Sequence, residues 1–293
     1  MVRICFLDFW PGYKNEFNTL FFLRYFTTNP KFQIVEDPNN VDLIICSVFG
    51  REHTKYNNVP KLLWSGENIA PWLDYGKSVS FEGVKWALLT NSKEMTLCPS
   101  SVIYKYIPYG GIHYDMNQIR AWREKYKNKP KTKFCCFVSG NSGSNREGYQ
   151  IRENFFHYLS YYKKVDSSGM VLNNTGYLAP RGEAFIEWIS SYKFMICMEN
   201  SMGDSYITEK LFQAYAGGAI PIYWCDSSCY ELFNTNSAVM FNTLTDTLNK
   251  VVEIDNNKGL YDKIMSEDLF NEKSAVFERS NIEKTLDEII SQV

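Results

Sequence analysis

The sequence predicts an α/β protein made of two doubly wound halves, each a parallel sheet covered by helices. Three observations carry that prediction. Short, continuous apolar runs such as "VRICFLDF" and "KFMICMEN" recur along the 293 residues. Stretches with apolar residues at helical spacing separate them. A polar, basic stretch from about residue 115 to 133 divides the series in two. Strands buried on both faces read as unbroken apolar runs, and parallel neighbours need a helical crossover to return the chain to the same end of the sheet. A composition of 45% hydrophobic and 16% aromatic residues is ample to fill a core in each half.

In the first half, "VRICFLDF" reads as a buried strand and "NEFNTLFFLRYFTT" as a helix. "KFQIVED", "VDLIICSVFG" and "PKLLWSGEN" follow as short strands, each ended by polar or glycine residues. "WALLTN" and "VIYKYIPYG" continue the series. "YDMNQIRAWREKYKNKPKTK" reads as a solvated helix and loop and as the crossing between domains 1–120 and 121–293.

The second half starts with the strand "KFCCFVSG". The helix "GYQIRENFFHYLSYYKKV" comes next, with Phe155, Phe156, Leu159 and Tyr162 on one face. "MVLNNTGYL", the helix "EAFIEWISSY" and the strand "KFMICMEN" lead to the helix "YITEKLFQAYA", which Gly217-Gly218 would end in a left-handed cap. "AIPIYW" and "SAVMFN" are further strands. "NIEKTLDEIISQV" is a terminal amphipathic helix able to pack back on the first domain.

Several function classes are disfavoured. The net charge is −2 with mixed signs, so no nucleic-acid partner is expected. No apolar run approaches the roughly 18 residues of a membrane span, and no signal peptide is expected, because "VRICFLDFW" reads as a strand without a small-residue cleavage site. The expected location is cytoplasmic, at most peripheral to a membrane. Of the eight cysteines, Cys5, Cys46, Cys135, Cys136 and Cys197 lie inside apolar runs, where they act as small hydrophobes rather than a disulfide framework. Cys225 and Cys229 have no nearby His or second Cys pair to complete a metal site. Asn173-Asn174-Thr175 is a formal glycosylation sequon.

The chemistry concentrates in "CMENSMGDSYITEKLFQAYAGGAIPIYW", residues 197–224. Glu199 and Asn200 fall at a strand's carboxyl end, where open α/β sheets bind ligands. Asp204 or Ser205 can cap a helix whose first turn would carry Tyr206, Glu209 and Lys210. Unpaired N–H groups and the positive dipole end favour a phosphate there. Lys210 adds a point charge, and Glu209 suits two vicinal hydroxyls such as a ribose presents. The competing reading is a salt-bridged surface helix start. Neither G-x-x-x-x-G-K-[ST] nor an early G-x-G-x-x-G is present, which argues against P-loop and dinucleotide enzymes.

This stretch, with its ENS, its Tyr-x-Thr-Glu-Lys and its Pro-containing strand, resembles the donor-binding signature of the α1,3/α1,4-fucosyltransferases. Upstream, "FVSGNSGSN" with "IRENFFHYLSYYKKVDSSG", and "LLWSGENIAP", resemble further elements of that family, so the likeness runs over roughly residues 2–290 in order. It implies a GT-B fold of two Rossmann-like domains, with GDP-fucose held by the second and the acceptor presented by the first. It also implies inverting, single-displacement transfer to a glycan hydroxyl, on N-acetylglucosamine or glucose in α1,3 or α1,4 linkage. Carried over by residue, Glu209 would hold the ribose, while Lys210 and Arg152 would neutralise the diphosphate. Asn200 and Tyr206 would line the donor pocket, and Glu67 would be the general base. Ser139 and Asn141, in the loop after "KFCCFVSG", are expected on the donor side. Trp10, Trp72 and His113 are candidate acceptor contacts. No Asp-x-Asp is present, so no metal site and no cofactor beyond the co-substrate GDP-fucose is expected. Cys225 stands where these relatives usually have glycine. The alternatives are transfer of another GDP-linked sugar, or a nucleotide-sugar- or glycan-binding protein without turnover.

Overall fold

The computed structural model describes residues 1–18, 20–68, 79–91, 98–143 and 146–292. The chain forms two compact units. Unit 1 is Met1–Tyr114, Gly203–Tyr206 and Val276–Val293; unit 2 is Asp115–Met202 and Ile207–Ala275. The first change of unit thus falls at 114/115, against 120/121 from the sequence, and the terminal helix belongs with the first unit.

Unit 1 contains β1 (Val2–Leu7), β2 (Phe32–Ile34), β3 (Leu43–Cys46), β4 (Lys61–Trp64), β5 (Val84–Leu89) and β6 (Ile103–Tyr106). They pair in the order β2-β1-β3-β4-β5-β6, every pair parallel. The strand period of two is visible in β3. Leu43 and Ile45 join one core with Leu62, Trp64 and the helix α1 (Phe21–Thr28), whereas Ile44 and Cys46 join another with Leu63, Ala87 and Leu89. Both faces are therefore covered, which is why these strands read as unbroken apolar runs. The helical expectation for residues 15–28 holds for α1, but Tyr13–Glu16 forms a separate 3-10 turn. A short α2 (Tyr109–His113) follows β6.

Unit 2 contains β7 (Lys133–Phe137), β8 (Val165–Ser167), β9 (Tyr192–Ile196), β10 (Ile220–Tyr223) and β11 (Val239–Met240), again all parallel, in the order β11-β10-β9-β7-β8. Its helices are α3 (Met116–Tyr126), α4 (Glu147–Ser160), α5 (Glu183–Ile189), α6 (Glu209–Ala216), α7 (Leu244–Asn256) and α8 (Lys258–Ser266). The terminal α9 (Arg279–Ile290) places Ile282, Leu286 and Ile289, at helical spacing, in the unit 1 core.

The polar segment 115–133 is more than a solvated crossing. Asp115 caps α3, accepting from the Asn117 N–H at 2.9 Å. Arg123 is buried, and donates to the carbonyls of Tyr215, Ala219 and Met265 at 3.1, 3.3 and 2.9 Å. A basic residue here pins a helix to unit 2 through carbonyls left open at other elements' ends.

Each sheet has a switch point where chain order reverses: between β1 and β3 in unit 1, and between β7 and β9 in unit 2. Crevices open beyond the strand carboxyl ends at such points. Among the described residues no helix is long and apolar enough to cross a membrane.

Candidate functional site

A cavity of about 280 Å³ sits at the unit 2 switch point. Ser139, Gly140 and Asn141 reach it from the end of β7, Met198 and Asn200 from the end of β9, Arg152 from α4, and Glu209, Lys210 and Gln213 from α6.

The helix carrying Glu209 and Lys210 starts later than expected. Neither Asp204 nor Ser205 caps it: Ser205 takes a left-handed φ of +61°, and the cap is Thr208 in extended conformation. Glu209 and Lys210 are consequently the first two helical residues, the Lys210 N–H donates to the Thr208 hydroxyl oxygen at 3.5 Å, and the positive dipole end of the helix lies at this turn. Tyr206, expected in that turn, lies two residues before the cap. It is buried within the segment that belongs to unit 1, where the Tyr106 hydroxyl donates to the Ser205 carbonyl at 2.9 Å, and it does not line this cavity. The expected left-handed cap at the far end of α6 falls on Gly218, with φ +77°.

Glu199 fixes the cap and the lysine together. It is fully buried, and its Oε1 accepts from the Thr208 N–H at 2.8 Å and the Tyr223 hydroxyl at 2.8 Å. Its Oε2 lies 3.2 Å from Lys210 Nζ, which also donates to Thr208 Oγ1 at 2.9 Å. Burial works against the Lys210 charge, but the Glu199 and Glu209 carboxylates outweigh it and Arg152 opposes them only in part. The pKa is therefore raised and the ammonium is kept.

Arg152 is a buried guanidinium on neutral partners. Nη1 donates to Asn200 Oδ1 and Nη2 to the Asn141 carbonyl, each at 2.8 Å, and the group lies 4.5 Å over the Tyr149 ring. Nε has no hydrogen-bond partner among the described residues. Burial lowers the Arg152 pKa, yet guanidinium stays charged in proteins. Gly148 makes this geometry possible, since a Cβ there would sit 2.1 Å from the Glu199 carbonyl oxygen. Only glycine lets α4 approach the end of β9 that closely.

A second pocket, about 360 Å³, opens at the unit 1 switch point and is lined by Trp10, Glu16, Phe49, Trp64, Gly66, Glu67, Tyr109 and His113. Glu67 follows β4, and its backbone is fixed by Ser65, whose Oγ lies 2.9 Å from the Glu67 carbonyl and 3.2 Å from its N–H. Tyr109 and His113 are one turn apart on α2, so they share a face. Their rings meet edge-on at 4.6 Å.

Of the residues singled out by sequence, Ser139, Asn141, Arg152, Asn200, Glu209 and Lys210 share the unit 2 cavity, and Trp10, Glu67 and His113 share the unit 1 pocket. Trp72 lies outside the described residues. Cys225 is buried and does not line the cavity. Asn173 uses its whole amide: Nδ2 donates to the Gly169 and Tyr177 carbonyls, and Oδ1 accepts from the Thr175 and Gly176 N–H groups. Among the described residues no group of three His, Cys, Asp or Glu side chains is arranged to hold a metal. Sequence reasoning assigned no role to Glu16, Gly148, Thr208 or Gln213, and named Glu199 only by its place on a strand.

A family profile described as glycosyltransferase family 10 (fucosyltransferase) C-term matches residues 121–268, and the alpha-(1,3)-fucosyltransferase FucT N-terminal domain matches residues 4–87. The chain is 24% identical over 282 residues to alpha-(1,3)-fucosyltransferase FucT of Helicobacter pylori, covering 84% of this chain and 56% of that protein. It is 32% identical over 154 residues to putative fucosyltransferase R654 of Acanthamoeba polyphaga mimivirus, covering 48% of this chain and 25% of that one. The chain thus spans about half of one of these relatives and a quarter of the other. A crystal structure of an alpha1,3-fucosyltransferase with GDP-fucose superposes with a TM-score of 0.68 at 21% identity, covering 92% of this chain and 82% of that one.

Proposed function

The chain belongs to glycosyltransferase family 10, the fucosyltransferases, and from that premise we propose that it moves L-fucose from GDP-fucose to a hydroxyl of a glycan acceptor. The observation that carries this reading is the pair of fixed cations, Arg152 and Lys210, beside Glu209 in one cavity. Glu209 accepts the ribose hydroxyls. Lys210 and the positive dipole end of α6 meet phosphate oxygens, and Arg152, held by Asn200 and Asn141, adds a second fixed positive charge. GDP gains negative charge as the fucosyl bond breaks, and cations already in place stabilise it with no reorganisation. That charge balance needs no metal.

Glu67 takes the proton of the acceptor hydroxyl as general base. Attack opposite the leaving group inverts the anomeric carbon in a single displacement. The acceptor sugar, N-acetylglucosamine or glucose in α1,3 or α1,4 linkage, occupies the unit 1 pocket against Trp10. Thiols buried in strands, such as Cys135 and Cys136 in β7, suit a reducing compartment.

Calorimetric titration with GDP-fucose, GDP-mannose and UDP-galactose tests the donor. Binding of GDP-fucose alone supports the reading. Equal binding of both GDP-sugars moves it to another GDP-linked sugar, and binding of none overturns it. Activity should survive EDTA; a complete loss restored by Mn²⁺ would reject the metal-free charge balance.

A further inference from the structure

The unit 1 pocket holds a second carboxylate that the proposed chemistry leaves unused. Glu16 ends the 3-10 turn Tyr13–Glu16, which Gly12 enters with a left-handed φ of +82°. Its Oε1 accepts from the Trp10 indole N–H at 3.2 Å. The Trp10 ring meets Phe49 and Trp64 at centroid distances of 5.9 Å each, and Trp64 is itself buried and stacked on Phe22 at 4.5 Å. The aromatic wall is anchored in the core, and Glu16 is tied to that wall.

Two properties follow from this arrangement. Aromatic faces accept the C–H face of a sugar ring, and a carboxylate beside them accepts its hydroxyls. A carboxylate takes about four hydrogen bonds, so Glu16 can hold the indole N–H and accept from a ligand hydroxyl at the same time. In addition, Glu16 and Glu67 line one pocket to which, among the described residues, no lysine or arginine contributes, and like charges disfavour a third anion between them.

We propose that Glu16 is a specificity-determining residue: it accepts a non-reacting hydroxyl of an uncharged pyranose seated on Trp10 and Phe49, and it turns away rings bearing an anionic group. The proposal rests on the unit 1 pocket being the acceptor site. Glu67 meets the hydroxyl that reacts, whereas Glu16 meets one that does not, so its loss acts on acceptor binding rather than on turnover.

The test titrates the full chain with methyl β-N-acetylglucosaminide and methyl β-glucuronide, read by saturation-transfer NMR and tryptophan fluorescence. Glu16→Gln should weaken the neutral glycoside about tenfold, as loss of one charged hydrogen bond implies. It should also narrow the preference over the glucuronide, while kcat and GDP-fucose affinity stay within about twofold of the parent, well under the tenfold step of a lost charged bond. Glu16→Asp withdraws the carboxylate by one methylene but keeps its charge, so it should weaken the neutral sugar and preserve the preference. Unchanged affinity and preference in Glu16→Gln would overturn the proposal, as would a parent chain that binds GDP-fucose but neither glycoside. A parent that shows the neutral preference, lost in Glu16→Gln, while failing to bind GDP-fucose would uphold the role of Glu16 and sink the fucose reading instead.

Discussion

Replacing Lys210 by methionine separates two roles carried by one ammonium. Lys210 Nζ lies 3.2 Å from Glu199 Oε2, with Glu199 fully buried and Lys210 about one-fifth exposed, at 22%. At that separation an effective dielectric of about 20 gives an attraction of roughly 5 kcal/mol. Desolvation offsets much of it, but stripping one partner from a buried pair costs about 3–5 kcal/mol because the other charge is stranded. Glu199 keeps its Thr208 and Tyr223 hydrogen bonds, which puts Lys210→Met at the lower end, about 3 kcal/mol by urea unfolding. The lost phosphate contact should cost about 2 kcal/mol more in binding, roughly a 30-fold rise in the GDP Kd by calorimetry. Glu199→Gln/Lys210→Met removes both charges, so it should recover most of the stability and none of the GDP affinity. A double variant with a GDP Kd within about twofold of the parent, against the tenfold that each 1.4 kcal/mol brings, would refute the phosphate role. Lys210→Met with unchanged stability would refute the dependence of Glu199 on it. The raised Lys210 pKa means its contribution is complete below the unfolded lysine value, roughly 10.4, and fades only as pH climbs through the higher folded value. Assays near neutrality do not titrate it.

Glu67→Gln should abolish transfer, while the GDP-fucose Kd stays within about twofold, far from the tenfold of 1.4 kcal/mol; a large loss of donor binding would put Glu67 in another role. Gly148→Ala would place a Cβ 2.1 Å from the Glu199 carbonyl oxygen. It should destabilise by about 1–3 kcal/mol and weaken GDP binding through a displaced Arg152, and normal stability with normal GDP affinity would count against the close approach. In unit 1, burial alone would raise the Asp8 pKa, but His53 at 2.5 Å and the N–H groups of His53 and Glu52 outweigh it and hold the pKa below the ordinary value. A depressed carboxylate pKa stabilises above the unfolded value, about 3.9, and that stability is lost as pH falls through the folded value. Asp8→Asn should therefore flatten the acid limb of unfolding below about pH 4, and an unchanged acid midpoint would show that Asp8 contributes nothing there.

Most strands were legible because parallel strands covered on both faces leave few polar interruptions: "LIIC" and "KLLW" are buried along their whole length. β8 was not, since its sequence is Val-Asp-Ser. Asp166 is tolerated there only because Lys133, Lys164 and the Tyr192 hydroxyl converge on it, which no local pattern reveals. The Glu209-Lys210 pair was readable as a helix start. Its cap was misplaced because several residues before it are small and polar, and what selects Thr208 is a carboxylate nine residues earlier in sequence, held by a tyrosine on the neighbouring strand. Glu16 had no signal either: its meaning depends on the Trp10 indole, six residues back across a turn.

Glu199 shows why a recognisable stretch overstates the size of a binding site. In "ENSMGDSYITEK", Asn200, Glu209 and Lys210 line the cavity, but Glu199 and Thr208 do not. Those two are buried and set where the lysine stands, and Tyr206 belongs to unit 1 altogether. A substitution at Glu199 or Thr208 should therefore cost stability and donor affinity together, whereas one at Glu209, which lies 3.5 Å from Lys210 at the cavity wall, should fall mainly on affinity. The distinction follows from burial: a group with no water to return to must keep every partner it has, while a group at the cavity wall exchanges solvent for ligand. If Thr208→Val, nearly isosteric but without the hydroxyl, lowered GDP affinity with no loss of stability, the supporting role assigned here to that half of the stretch would be wrong.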